Sequence, residues 1–340
     1  MATSGTITFR TNRNEVIKGA LRLCSAYDPE NSAGPSTAQI TDAAESLNLL
    51  VKSWGAVGLQ LWERRWGVVF PQNNQGTFIL GSPGPAGDHA CLTTPLNGGF
   101  VQTTLSTDAA DGASTIEVES ITGQLSTTGT TATTITNAYN IGIELDDGTL
   151  QWTTVNGAPS GTTVTLAAVL TDSATSGNAV YCYQTKLIRP LRVLDAFIRQ
   201  TQGGNDLPCK IISRDEYNRF GVKSSPGTPT QIYYNPQSNT GQLYTYPVFN
   251  DMTQVLFIEF SKPIDDFTTS TDDYDLPQEW GNALKLNLAL QIAPEYEVPT
   301  DKFKQIQFLA KDAFDLVNGY DVESPAGVQF QPANWVYESN

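Results

Sequence analysis

The chain has few of the residues that most often do chemistry. It holds a single histidine, His89, and four scattered cysteines, Cys24, Cys91, Cys182 and Cys209, with no CxxC among them. Disulfide scaffolds and His/Cys zinc sites are therefore disfavoured. Basic residues are scarce as well: 20 Lys+Arg against 35 Asp+Glu give a formal charge of −15 over 340 residues. None lies between Arg65 and Lys186, a stretch that carries nine Asp or Glu. Binding that works by neutralising phosphates needs clustered cations, and the Arg64–Arg65 pair is too small to supply them. No apolar run approaches the ~18 residues of a membrane span, and Met1–Arg10 lacks a basic-then-apolar leader. A soluble acidic protein made in a reducing cytosol is expected. No fixed-period repeat is present, which argues against a solenoid or propeller.

What the chain does have is bulk for a core. Apolar residues make up 39%, including six Trp, thirteen Tyr and fourteen Phe. At ~100–200 residues per domain, the length predicts two or three folding units. A chain of this size buries about 75% of its unfolded surface without needing staples.

Both ends of the chain read as helical. Asn12 followed by Glu15 is a helix start, and Val16, Ile17, Ala20, Leu21 and Cys24 recur at helical spacing. A second start at Ser36 with Gln39 has the capping-box pattern. Ile40, Ala43, Ala44, Leu47, Leu50, Val51 and Trp54 follow on one face, closed by Gly55 and Gly58. Near the other end, Asp275, Pro277 and Gln278 open a helix carrying Trp280, Ala283, Leu284, Leu288 and Ile292. Leu284, Leu286, Leu288 and Leu290 also alternate, so a strand is conceivable, but length and the lack of β-branched residues favour helix. Pro294 ends or kinks it. From about Pro299, Phe303, Ile306, Ala310, Ala313 and Val317 step by three and four up to Asn318–Gly319.

The middle reads as strands. Within 101–180, 27 of 80 residues are Ser or Thr, a composition that suits exposed strands and turns. Ile141–Leu145 and Thr149–Val155 flank Asp146-Asp147-Gly148, a hairpin signal. Trp66–Phe70, Thr77–Leu80, Thr162–Leu166, Ala179–Tyr183, Leu191–Ile198, Gln231–Tyr234, Leu243–Tyr246 and Val255–Phe260 continue the pattern. The expected class is α+β: a four-helix bundle of two helical hairpins, 1–61 and 275–319, interrupted by a large antiparallel β insertion. That insertion covers 62–274, with a Ser/Thr-rich submodule at about 96–185, and an extended tail follows at 320–340. The expected bundle core is Leu47, Trp54, Trp280, Leu288, Ile292, Phe303 and Ile306.

No catalytic constellation stands out. Gly81–Gly87 lacks the Lys of a phosphate loop, and His89 has no second His to join it at a metal. Asp146 and Asp147 would suit a glycosidase pair, but adjacent strand residues face opposite ways and the following Gly marks a turn. Asp272, Asp273 and Asp275 offer oxygen to a hard cation, yet the stretch lacks the Gly and distal Glu of a calcium loop. Trp54, Trp62, Trp66 and Trp280 are a conceivable sugar platform, but Trp54 and Trp280 lie on apolar helix faces and read as core. Neither an enzyme nor a cofactor is expected.

Leu47–Gly58 (LNLLVKSWGAVG) and Leu276–Tyr296 (LPQEWGNALKLNLALQIAPEY) together resemble the head-to-tail adaptor family of short-tailed phages, also called tail accessory factors. The likeness lies in a Trp-containing, Gly-terminated helix and in a later pattern carried here by Leu288, Ala289, Ile292, Ala293, Pro294 and Tyr296. A further amphipathic helix and a C-terminal tail follow, and roughly 110 of the 340 residues are covered. The resemblance implies a virion structural protein at the head-tail junction, assembled in the host cytoplasm. It implies a ring, dodecameric as in the family, below the portal protein, extending the DNA channel and carrying nozzle, fibre or spike proteins. DNA would only pass through, and an acidic wall suits that passage. The alternatives are a carbohydrate- or receptor-binding tail component, motivated by Tyr233, Tyr234, Tyr244 and Tyr246, and a polysaccharide-cleaving tail enzyme, which rests only on acidic pairs.

The tail holds Phe330, Trp335, Val336 and Tyr337 among turn-forming residues, and aromatics of this kind act as hot spots in segments that fold on binding. They are expected to dock on portal and on neighbouring subunits. Removing 321–340 is expected to leave the thermal transition nearly unchanged and to abolish ring assembly on portal. Trp335→Ala alone should weaken attachment, measured by titration, by about 2 kcal/mol or more.

Overall fold

A computed structural model describes residues 9–27, 34–57, 63–81, 88–94, 98–123, 133–199 and 204–320. The docking candidates Phe330, Trp335, Val336 and Tyr337, and also Trp62, lie outside these residues. The described chain holds, in order, helices α1 (Arg13–Leu23) and α2 (Thr37–Val57), then strands β1 (Arg64–Val69), β2 (Thr77–Leu80), β3 (Ala90–Thr93), β4 (Phe100–Thr104) and β5 (Thr115–Glu117). Next come β6 (Asn140–Glu144), β7 (Leu150–Thr154), β8 (Thr163–Thr165), β9 (Ala179–Tyr183), β10 (Arg192–Arg199), β11 (Asp206–Pro208) and β12 (Lys210–Ile211). The short helix α3 (Arg214–Asn218), strands β13 (Gln231–Pro236), β14 (Gly241–Tyr246) and β15 (Val255–Ser261), and helices α4 (Trp280–Ile292) and α5 (Thr300–Tyr320) complete it.

The expected class is corrected. Among the described residues the chain is mostly β, with fifteen strands in four sheets against five α-helices, and is not a four-helix bundle with a β insertion. Its apolar residues fall into four clusters, and three of those belong to strands and their loops. The chain separates into two compact units, Met1–Trp62 with Ile264–Asn340, and Glu63–Pro263.

In the helical unit, the arrangement follows from α4. Trp280, Ala283, Leu284, Leu286, Leu288, Ala289 and Ile292 are all buried, which leaves α4 apolar around its circumference. A helix of that kind is enclosed rather than laid on a surface, and α1, α2 and α5 each pack against it. The expectation of one apolar stripe per helix fails here, and the Leu284–Leu290 alternation is explained as one turn after another of core. Leu47, Trp54, Trp280, Leu288, Ile292 and Ile306 are buried in this cluster, and Phe303 packs partly buried against it. Trp54 and Trp280 rings lie 5.3 Å apart, and Phe314 lies 5.3 Å from Trp54 and 6.1 Å from Trp280.

Capping sets the helix starts. Asn12 Oδ1 accepts from the Glu15 amide at 3.0 Å while Glu15 accepts from the Asn12 amide at 3.1 Å; Ser36 and Gln39 do the same for α2. Pro294 sits in a 3-10 turn over Ala293–Tyr296, and Glu297, at φ 49°, turns the chain into α5. Residues 264–273, leading into α4, are fastened to the first two helices. The Asn48 amide donates to the Phe267 carbonyl at 3.1 Å and accepts from its N–H at 2.9 Å. Lys52 Nζ lies 2.7 Å from Asp266, and the Arg13 amide donates to the Asp272 carbonyl at 2.8 Å.

The β unit is layered. A five-stranded sheet, β11-β10-β15-β1-β3, is antiparallel throughout. On it, Val69, Leu256, Ile258 and Phe260 face one core with Phe78, Ile232 and Leu243 of the β12-β13-β14-β2 sheet. Val68, Val255 and Phe257 face the opposite core with Phe100, Tyr181 and Tyr183 of the β4-β9-β6-β7 sheet. The middle sheet is therefore covered on both faces, which is why β15 reads VLFIEF as a near-continuous apolar run. β9 is also buried on both faces: Val180 and Cys182 enter a third core with Ile141, Ile143, Val164 and Leu166. Within 96–185, a change of surface chemistry thus runs alongside strands that share a core with β1 and β15.

Leu288 is fully buried at the middle of α4. Leu288→Ala should destabilise the helical unit by about 2–5 kcal/mol in chemical denaturation of the full chain, the cost of a large-to-small change in a tight core. A cost below about 0.5 kcal/mol, the range of surface changes, would contradict the enclosed position.

Candidate interaction surface

Asp146, Asp147 and Asp272 each accept hydrogen bonds from loop residues. Asp147 Oδ1 accepts from the Thr149 amide at 2.8 Å and from its hydroxyl at 2.7 Å. Gly148, at φ 82°, makes the β6–β7 turn. Asp146 accepts from Ser173 Oγ at 2.8 Å, the Thr175 amide at 2.9 Å and Asn178 Nδ2 at 3.0 Å, and these donors hold its carboxyl below the usual range. The Asp272 carboxylate collects the amides and hydroxyls of Thr268 and Thr269, which hold its pKa well below the usual carboxylate range. Asp146 and Asp251 line a polar cleft of about 310 Å³ with Glu144, Asn73, Asn178 and Asn250. Asp251 there accepts from the Thr253 amide and hydroxyl at 2.9 and 2.6 Å. Among the described residues, no group of three or more His, Cys, Asp or Glu is placed to hold a metal ion. No helix there is long and apolar enough to cross a membrane.

Tyr233, Tyr234, Tyr244 and Tyr246, which motivate the carbohydrate- or receptor-binding alternative, are used in packing and hydrogen bonding. Tyr233 and Tyr244 stack across β13 and β14 at 5.5 Å. Tyr217 of α3 lies over both, 5.8 and 5.3 Å away. Tyr246 stacks on Phe220 at 3.9 Å, and the Tyr234 hydroxyl donates to the Pro190 carbonyl at 2.5 Å. Sequence patterning missed helix α3, together with the short strands β3, β4, β5, β11 and β12. The signal for α3 is Ser213 with Glu216 three residues on, which form a complete capping box. All four cysteines are buried, and burial pushes the Cys24 thiol up to about 11 and those of Cys182 and Cys209 to about 12. They are protonated and unreactive at neutral pH.

Helix α5 carries an exposed apolar set beside its core residues. Ile306, Ala310, Ala313 and Val317 enter the core, as the sequence spacing suggests. A second set is exposed: Phe308, Leu309 and Leu316 are 71%, 47% and 68% exposed. Spacings of seven and eight residues carry Leu309 and Phe308 to the same side as Leu316; Leu309 and Leu316 lie about a fifth to a quarter of a turn from the centre of the core stripe, and Phe308 nearly opposite it. An α-helix with one stripe in its own core and a second in water presents a surface suited to another protein.

His89 is half-buried, its ring stacked on Trp152 at 3.9 Å and 1°, with Nδ1 2.6 Å from the Tyr183 hydroxyl. Burial, then the nearby Lys186 charge, lowers its pKa to about 4. The unfolded chain, with a pKa near 6.5, takes up the proton first. The contribution of His89 to stability is then complete above about pH 6.5 and is lost as pH falls toward 4. The urea midpoint of the full chain minus that of His89→Gln should therefore rise as pH increases from 4 to 6.5. Midpoints that stay parallel across this window would contradict the buried neutral imidazole.

No protein-family model matches the sequence, and a search of the curated proteins returns no match.

Proposed function

We propose that this chain is a structural ring component, a head-to-tail adaptor that sits below a portal and extends a DNA channel. The observation that carries the reading is the second apolar stripe of α5, Phe308, Leu309 and Leu316, on a helix whose other stripe is already committed to the core. A lone monomer has no use for such a stripe, whereas a ring subunit must present apolar area to a neighbour on each side. The motif resemblance in Leu47–Gly58 and Leu276–Tyr296 supports the same reading from independent residues. The formal charge of −15 also suits a wall along which phosphates slide without binding.

Under this reading the helical unit supplies subunit and portal contacts and the β unit carries nozzle, fibre or spike proteins. No reaction is assigned to the chain. The acidic clusters and aromatic groups serve loops and packing, and the ring acts by position. Mixing the full chain with the cognate portal protein and imaging by negative-stain microscopy is expected to show a closed ring added at one end of the portal. A chain that stays monomeric with portal and instead binds a glycan array would overturn this in favour of a receptor-binding role.

A further inference from the structure

Residues 100–183 contain the same β-strand unit twice. Thr103-Thr104-Leu105 leads into Thr115-Ile116-Glu117-Val118, and Thr153-Thr154-Val155 leads into Thr163-Val164-Thr165-Leu166. The bonds around these segments correspond pair by pair. Leu105 bridges to Val118 as Val155 does to Leu166. The Glu119 amide donates to the Thr104 carbonyl and the Ala167 amide to that of Thr154, both at 2.9 Å. The Ser120 amide donates to Thr103 Oγ1 at 3.1 Å, and the Ala168 amide to Thr153 Oγ1 at 3.0 Å. The turns that lead into β9 and β6 correspond as well. The Gly177 amide donates to the Leu105 carbonyl at 2.8 Å, and the Ala138 amide to that of Val155 at 2.9 Å. Both residues are left-handed, Gly177 at φ 97° and Ala138 at φ 65°. That backbone is uncommon away from glycine, and the shared turn accounts for it at Ala138.

The two units, β4-β5-β6 and β7-β8-β9, are related by a two-fold axis. Between β6 and β9, the pairs Ile141–Cys182 and Ile143–Val180 flank a central Gly142–Tyr181. Between β5 and β8, Thr115–Thr165 and Glu117–Thr163 flank a central Ile116–Val164. The connections differ in length between the copies, so no fixed period marks them. Among the described residues, all four ladders of this module cross from one unit to the other: β4 to β9, β6 to β7, β6 to β9 and β5 to β8. Equivalent residues also share one core, Leu105 with Val155, Ile116 with Val164, and Val118 with Leu166. The copies differ on the face turned to the five-stranded sheet, which lacks that symmetry. There Trp152 covers Gly142, where a Cβ would come within 2.8 Å of its ring. At the equivalent positions, Gln102 Nε2 donates to the Thr253 carbonyl at 3.3 Å and the Tyr181 hydroxyl donates to the Met252 carbonyl.

We infer that residues 100–183 are two copies of one β-strand unit, interlocked so that the module opens only as a whole. Releasing β4, β5 and β6 would strip the ladder partners from β7, β8 and β9, so neither copy is lost alone. The two-stranded β5–β8 ribbon is marginal by itself, and here it is held as the cover of the shared core. The interlock makes this part of the β unit a stiff mount, and it stands whether or not the chain forms a ring.

Native-state hydrogen exchange of the full chain tests the interlock. The hydrogen-bonded amides of β5 and β8 are expected to share one opening free energy and one denaturant dependence with those of β6 and β9. Exchange from β4–β6 at markedly lower free energy than from β7–β9, or from the β5–β8 ribbon ahead of the rest, overturns it. Full-length variants test the equivalence of the copies. Leu105→Val with Val118→Leu gives the first copy the pair that the second holds at Val155 and Leu166. Each change alone should lower the urea midpoint, one by a cavity and the other by overpacking, and together they should return it close to the parent's. Ala138→Gly gives the first turn the residue of the second and should raise the midpoint, because glycine takes a left-handed backbone without strain. A double variant that falls as far as its two single changes added, or an Ala138→Gly that lowers the midpoint, overturns the equivalence.

Discussion

Helix α4 carries buried apolar residues all the way around its axis, and that one constraint organises the helical unit. Its buried residues point in every direction around the axis, so burying one face would leave the others wet. Each fully buried Leu or Ile contributes about 1.5–3 kcal/mol relative to exposure, and that gain is realised only when α1, α2 and α5 are all in place. The first two helices come from one end of the chain and α5 from the other, so the ends must meet. The intervening span adds little penalty, because closure entropy grows only logarithmically with loop length. The same enclosure leaves an outward-facing surface on α5, and there Phe308, Leu309 and Leu316 gather.

A comparable constraint acts in the β unit. Strands β1 and β15 at the centre of the five-stranded sheet carry apolar residues on both faces, so a sheet must lie on each side. The β4-β9-β6-β7 sheet meets that need on one side and, through β9, requires a further core of its own. Layers follow from residues such as Leu256 and Phe257, adjacent in sequence and facing opposite cores.

Local structure was largely legible in the sequence, and global balance was not. Asn12, Glu15, Ser36 and Gln39 mark helix starts because a cap is a matter of four neighbouring residues. The Asp146–Gly148 turn and most strands were legible for the same reason. The class was misread because each helix was granted a single stripe, which gives four prominent helices a bundle and reduces two hundred residues of strand to an insertion. Leu286 and Leu290 beside Leu284 and Leu288 already signal an enclosed helix. The interaction surface was overlooked on a similar ground: once Ile306, Ala310 and Val317 accounted for α5, Phe308, Leu309 and Leu316 were left unread although the sequence displays them. The aromatic candidates required three dimensions, since only the structure brings Tyr217 over Tyr233 and Tyr244.

The central claim is that both ends of the chain fold as one cooperative unit around α4. Native-state hydrogen exchange of the full chain tests it most directly, because it reads the opening free energy of each helix separately. Amides of Leu284–Ile292 are expected to be the slowest in the helical unit, and the central amides of α1, α2 and α5 should converge on the same opening free energy and denaturant dependence. If α1 and α2 open at markedly lower free energy while α4 and α5 stay protected, the two ends are separate hairpins and the account is wrong.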